Sequence, residues 1–60
     1  MKQKIKNKLE EFAEIRKFAN GIQRKEIIDQ EVRVYLARNV KSASDWFDAY
    51  DTYKEMYGRS

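Results

Sequence analysis

Ser42-Ala43-Ser44-Asp45-Trp46-Phe47-Asp48-Ala49-Tyr50-Asp51-Thr52-Tyr53-Lys54-Glu55-Met56-Tyr57-Gly58 is the stretch around which the rest of the chain must be arranged. It holds the single Trp and three of the four Tyr. At 100° per residue, Trp46, Ala49, Tyr50, Tyr53, Met56 and Tyr57 fall on one side, and Asp48, Asp51, Thr52 and Glu55 on the other. That separation predicts an amphipathic helix over residues 44–57 with an aromatic face that other helices must cover. Ser42 and Ser44 are both candidate N-caps, because a hydroxyl accepts from free amides of a first turn. Ser42 followed by Asp45 has the spacing of a capping box. Asp45 and Asp48 sit where the helix dipole favours anions, and Lys54 and Arg59 where it favours cations. Gly58 suits a C′ position.

Upstream, Ile5, Leu9, Phe12, Ile15 and Ala19 repeat at spacings of four, three, three and four, which predicts a first helix over residues 3–19. Phe18 lies off this stripe. Asn20-Gly21 should end the helix, since Gly takes the left-handed C′ conformation without steric cost. A second helix is expected over residues 23–39. Ile28, Val32, Tyr35, Leu36 and Asn39 form one stripe, flanked by Ile27, Glu31 and Val34, so the apolar arc is wide and suits two neighbours. Asp29 and Arg33 stand at i, i+4 in the favourable order. The run Glu31-Val-Arg-Val-Tyr-Leu36 also alternates as a strand would. Neither flanking segment offers it a partner, and a lone strand is not stable. The expected fold is all-α, a small single-domain three-helix bundle.

Sixty residues make one domain with a small core, burying only about 60% of the unfolded surface. Without Cys there are no disulfides, and without His or Cys the usual zinc ligands are missing. No apolar run follows the basic N-terminus, so it does not read as a signal peptide, and nothing approaches a membrane span. A soluble, cytoplasmic protein without a membrane partner is expected. The charge is uneven: residues 1–20 carry +3, residues 21–41 carry +2 and residues 42–60 carry −2, summing to +3.

The same composition argues against an enzyme, because the common general bases and nucleophile pairs need His or Cys. Asp45, Asp48 and Asp51 recur at i, i+3, i+6, yet hard cations need converging oxygen ligands, usually from a loop. They read as a solvated helix face. No Gly-rich phosphate loop exists, so no cofactor or metal is expected.

Two binding surfaces remain. Lys2, Lys4, Lys6 and Lys8, with Arg38 and Lys41, are candidates for nucleic acid. Spaced by two, the four lysines split into two sides on a helix, and a solubilising terminus is the commoner meaning of such a run. Phe47 and Tyr57 with Asp48, Asp51 and Glu55, and separately Phe18, are candidates for a protein partner. Trp46, Tyr50 and Tyr53 are read as core. Acidic residues beside exposed aromatics would repel phosphate and suit a protein better.

Phe18-Ala19-Asn20, Tyr35-Leu36-Ala37 and Trp46-Phe47-Asp48-Ala49-Tyr50 with Tyr53 resemble the YozE-type SAM-like domain family of small bacterial helical bundles. That family shows a Tyr-Leu pair followed by Phe-Asp-x-Ala-Trp-x-x-Tyr near its end. Here Tyr50 lies one place from where the Trp would fall, and the front half lacks the family's opening aromatic segment and central Phe-Pro. The resemblance covers about half the chain; it implies a compact helical fold and adds no activity. Size and composition are also similar to those of small phage or mobile-element regulators. The leading expectation is a non-enzymatic protein-binding module, a regulator or inhibitor that docks on its target. The alternatives are nucleic-acid binding through the basic first helix and a homodimer sealed by the wide apolar arc of the second.

Overall fold

Three α-helices make up the computed structural model, which describes residues 2–58: α1 (Gln3–Phe18), α2 (Ile22–Asn39) and α3 (Ala43–Gly58). No strand occurs among the described residues, and Glu31 to Leu36 lie inside α2. The fold is the all-α three-helix bundle that the periodicity predicts. α1 ends one residue earlier, and α2 and α3 begin one residue earlier, than the stripes place them. Arg59 lies outside the described residues.

Cross-helix pairs fix the topology. Phe12 meets Tyr35 with ring centroids 6.0 Å apart, and Arg16 meets Asp29 at 2.8 Å, so residue numbers fall along α2 as they rise along α1. Arg33 with Tyr50 and Asp29 with Tyr53 show the same reversal between α2 and α3. The helices therefore run up, down and up, as short connections require.

The turn between α1 and α2 corrects the expected helix stop. Ala19 caps α1 in extended geometry (φ −72°, ψ 136°), its N–H donating to the Arg16 carbonyl at 3.2 Å. Gly21 is instead the N-cap of α2, at φ 92° and ψ 154°. This is not the left-handed helical well that Asn also visits but the region open essentially to Gly alone. Gly58, expected as a C′ residue, is the last residue of α3 and has no positive φ. At the start of α3 the Ser42 carbonyl accepts from Trp46 N–H at 3.0 Å, and its hydroxyl lies 3.3 Å from that of Ser44.

Ile5, Leu9, Ala13, Val32, Leu36, Ala49 and Tyr53 form the buried core, with Phe12, Tyr35, Val40, Trp46, Tyr50, Met56 and Tyr57 packed half-buried around it. Each fully buried Leu, Val or Tyr removes enough apolar surface to contribute about 1.5–3 kcal/mol before entropy is counted. Two expectations for α1 and α2 fail here. Ile15 is 55% exposed, and Ala13 and Arg16 take the inward positions instead. Asp29 does not pair with Arg33; it is 5% exposed and faces the other two helices.

Candidate functional site

The most constrained polar group in the bundle is Asp29. Its Oδ1 accepts from Arg16 Nε at 2.8 Å and from the Tyr53 hydroxyl at 2.6 Å, and its Oδ2 accepts from Arg16 Nη2 at 3.3 Å. The Arg16 guanidinium lies 3.6 Å from the Tyr57 ring centroid, close enough for a cation–π contact. One residue of α1, one of α2 and two of α3 are thus tied at one level. The hydrogen bond to Asp29 holds the Arg16 guanidinium above its ordinary range. Burial, and then the hydrogen bond it donates to Asp29, pushes the Tyr53 hydroxyl far up. No buried side-chain N or O among the described residues lacks a partner. The network is closed on itself, so its geometry serves to hold the helices.

α3 carries an aromatic ladder. Trp46 stacks on Tyr50 (5.3 Å, 15°), Tyr50 tilts against Tyr53 (5.7 Å) and Tyr53 meets Tyr57 edge to face (5.0 Å). Arg33 Nη1 donates to the Tyr50 hydroxyl at 3.0 Å, and Trp46 Nε1 donates to the Arg33 carbonyl at 3.4 Å. These bonds give the polar edges of half-buried rings partners on α2. The ladder faces inward, which changes the expected α3 surface. Tyr57 is half-buried against Arg16 and Tyr53, and Phe47 is the one aromatic of α3 left largely exposed, at 63%. Asp48, Asp51 and Glu55 are exposed, and Asp51 pairs with Lys54 at 3.5 Å.

The cations do not gather in one stripe. Lys2 and Lys41 border a hollow that also holds Asp45 and Asp48, so acidic α3 partly offsets them. Lys4 and Lys8 flank Tyr35 on the α1/α2 side, where Lys8 lies 3.9 Å from Glu11. Arg38 borders the same side farther along α2. Lys6 is exposed and lines none of these surfaces.

What periodicity missed is a trough between α1 and α2. One groove, of about 550 Å³, is lined by Ile15, Phe18, Ala19, Ile27 and Ile28, with Glu14 and Arg24 on its rim. A second groove, lined by α2 residues alone, shares Ile27 and continues past Val34 to Tyr35 and Arg38. A third shares Tyr35 and reaches Lys4, Asn7, Lys8 and Glu11. No α3 side chain lines any of the three. Of the six large apolar side chains left exposed among the described residues, Ile15, Phe18, Ile27 and Val34 lie here. Only Phe18 of the expected protein-binding set belongs to this face. The signal for it was present: Ile27 and Val34 stand seven apart on α2, on the flank of the stripe that turned out not to be covered.

No group of three or more His, Cys, Asp or Glu among the described residues could hold a metal ion, and no helix among them is long and apolar enough to cross a membrane. No protein-family model, curated protein or solved structure matches the chain.

Proposed function

We propose that the chain is a non-enzymatic docking module, a small regulator or inhibitor that binds a protein through the α1/α2 trough. One observation carries this reading. Among the described residues, four of the six exposed large apolar side chains line two grooves that adjoin at Ile27, on a bundle whose buried core comprises seven of those residues. Contiguous exposed apolar surface marks an interaction site more often than isolated exposed residues do. Covering it excludes water from Ile15, Phe18, Ile27 and Val34 at once, which is how a few side chains come to dominate binding. The absence of His and Cys from the chain and the closed Asp29 network support a role in binding rather than chemistry.

The nucleic-acid reading has less behind it. Lys2 and Lys41 sit beside Asp45 and Asp48, and Lys4, Lys8 and Arg38 share their side of the molecule with Glu11 and Glu31. Affinity capture from the native host, with and without nuclease, tests the proposal. Bound protein should survive nuclease and be lost from an Ile15→Asp/Ile27→Asp variant whose helicity and melting temperature match those of the parent. Capture that disappears with nuclease and persists in the variant would reject it.

A further inference from the structure

The trough is banded, and the bands restrict what can lie in it. Lys4 and Lys8 lie near the start of α1 and Arg38 near the end of α2, on grooves that share Tyr35. Glu11 and Glu31 come next, and Ile15, Ile27 and Phe18 fill the far end. At 1.5 Å per residue the basic band and the apolar end are about 15–20 Å apart, roughly three helical turns.

We infer that the trough takes an amphipathic helix of a partner protein, its apolar stripe on Ile15, Phe18 and Ile27 and its acidic end on Lys4, Lys8 and Arg38. The inference rests on the docking reading above and adds the chemistry of the partner. A helix laid in a groove presents anchors at i, i+3, i+4 and i+7, which suits an apolar end of this size. Acidic residues about three turns away then reach the basic band, and the overall charge of +3 steers such a partner toward the chain. The exposed Lys8–Glu11 pair is weak and can exchange for a new partner.

A second copy of the chain meets the bands badly. If two troughs face each other with each helix antiparallel to its own counterpart and the two-fold passes over Glu31, Glu31 meets Glu31 and Arg24 meets Arg38. If the two-fold runs along the helices, Lys4 meets Arg38 and Glu11 meets Glu31. Like charges face each other in both of these registers, which an interface avoids, and a slipped register that sets Glu31 against Arg38 moves Ile27 off its counterpart and past the end of the facing α2. The outer face of α3 from another copy offers one large exposed apolar residue, Phe47, among Asp48, Asp51 and Glu55. That is too little to fill the apolar end.

The test uses two designed 18-residue helical peptides with the same leucine stripe, one carrying three Glu in its final turns and the other three Lys. Fluorescence anisotropy at about 20 mM salt should show the Glu peptide binding about tenfold more tightly, with the gap closing at 0.5 M as charges are screened. Backbone amide shifts should centre on Ile15, Phe18, Ile27 and Val34. Reversing Lys4, Lys8 and Arg38 to Glu, all at exposed positions, should invert the preference, and the milder Lys4→Gln/Arg38→Gln variant should erase most of it. Equal binding of both peptides in the trough would overturn the acidic-end inference and leave the docking reading standing. No shift at these residues with either peptide would overturn both. A dimer in sedimentation that Ile27→Asp dissociates would assign the trough to a second copy and overturn the inference. Displacement of the Glu peptide by duplex DNA, dependent on the same three cations, would also overturn it.

Discussion

Replacing Asp29 by Ala should unfold the protein. Asp29 is 5% exposed and accepts three hydrogen bonds from Arg16 and Tyr53. Its loss strands the Tyr53 hydroxyl, in a side chain with no exposure, and removes the counter-charge of Arg16, whose side chain is 20% exposed. Breaking one partner out of a buried pair costs about 3–5 kcal/mol, and a stranded hydroxyl adds about 1–3 kcal/mol. A domain of this size has only about 3–5 kcal/mol in total. Tyr53→Phe is the graded version. It removes one donor and leaves the Arg16–Asp29 pair, so the cost should be about 1.5–3 kcal/mol. With an unfolding entropy of about 2.1 cal/mol/K per residue, 1 kcal/mol shifts the midpoint of a 60-residue chain by about 8 °C, so Tyr53→Phe should melt about 12–24 °C lower. Circular dichroism melts of both variants, with an Arg16→Ala/Tyr53→Phe cycle for coupling, make the measurement. Asp29→Ala melting cooperatively within a few degrees of the parent would refute the network as the tie between the helices.

Alkali should act through the same tyrosine. Its hydroxyl keeps its proton in the fold to higher pH than in the unfolded chain, so the stability it contributes is complete below about pH 10 and is lost as pH rises above it, by up to about 1.4 kcal/mol per unit; urea midpoints from pH 9 to 11 should fall in the parent and fall less in Tyr53→Phe. Gly21→Ala and Gly21→Asn should both destabilise by about 1–3 kcal/mol, because a Cβ there meets nothing within 4 Å and the cost lies wholly in φ 92°, ψ 154°; rescue by Asn in a chemical melt would restore the left-handed C′ reading. Leu36→Ala, at a side chain with no exposure, should cost about 2–5 kcal/mol and leave little folded protein at room temperature, whereas Trp46→Ala at its half-buried site should cost less, and a reversed order by circular dichroism would count against the core as described. Replacing Lys2 and Lys6, which lie outside the basic band, by Gln should leave protein binding intact, while a DNA-binding protein would show a flatter salt dependence of affinity after the change.

The helices were legible because their stripes are regular. Leu9, Val32, Leu36, Ala49 and Tyr53 each stand where a 3.6-residue repeat places a core residue, and each is buried. The errors of facing in α1 and α2 share a cause. A repeat counted on apolar residues sends every charge outward, yet Arg16 follows Leu9 and Ala13 on the inner side of α1, and Asp29 precedes Val32 and Leu36 on that of α2. A charge of each sign on the facing stripes of adjacent helices is the available signal, and it becomes decisive only with the helix pairing in hand, because the partners are 13 residues apart. Taking Arg16 inward turns Ile15 outward. The candidate site suffered likewise: Tyr57 reads as a free aromatic until Arg16 lies over it, and Ile27 and Val34 read as the flank of an arc that two neighbours cover until α3 proves to pack on the other side. Gly21 needed its dihedral angles, since Asn-Gly stops a helix in several geometries.

Site-specific photo-crosslinking separates the two faces most directly. Phe18 is 76% exposed in the trough and Phe47 is 63% exposed on α3, so either ring can be replaced by benzoylphenylalanine with little effect on the core. Irradiated in the native host, the residue-18 probe should give a nuclease-resistant protein adduct that Ile27→Asp abolishes, and the residue-47 probe should give little. An adduct from residue 47 alone, or one from residue 18 that nuclease digests or that has twice the chain's own mass, would contradict docking of a partner protein in the α1/α2 trough.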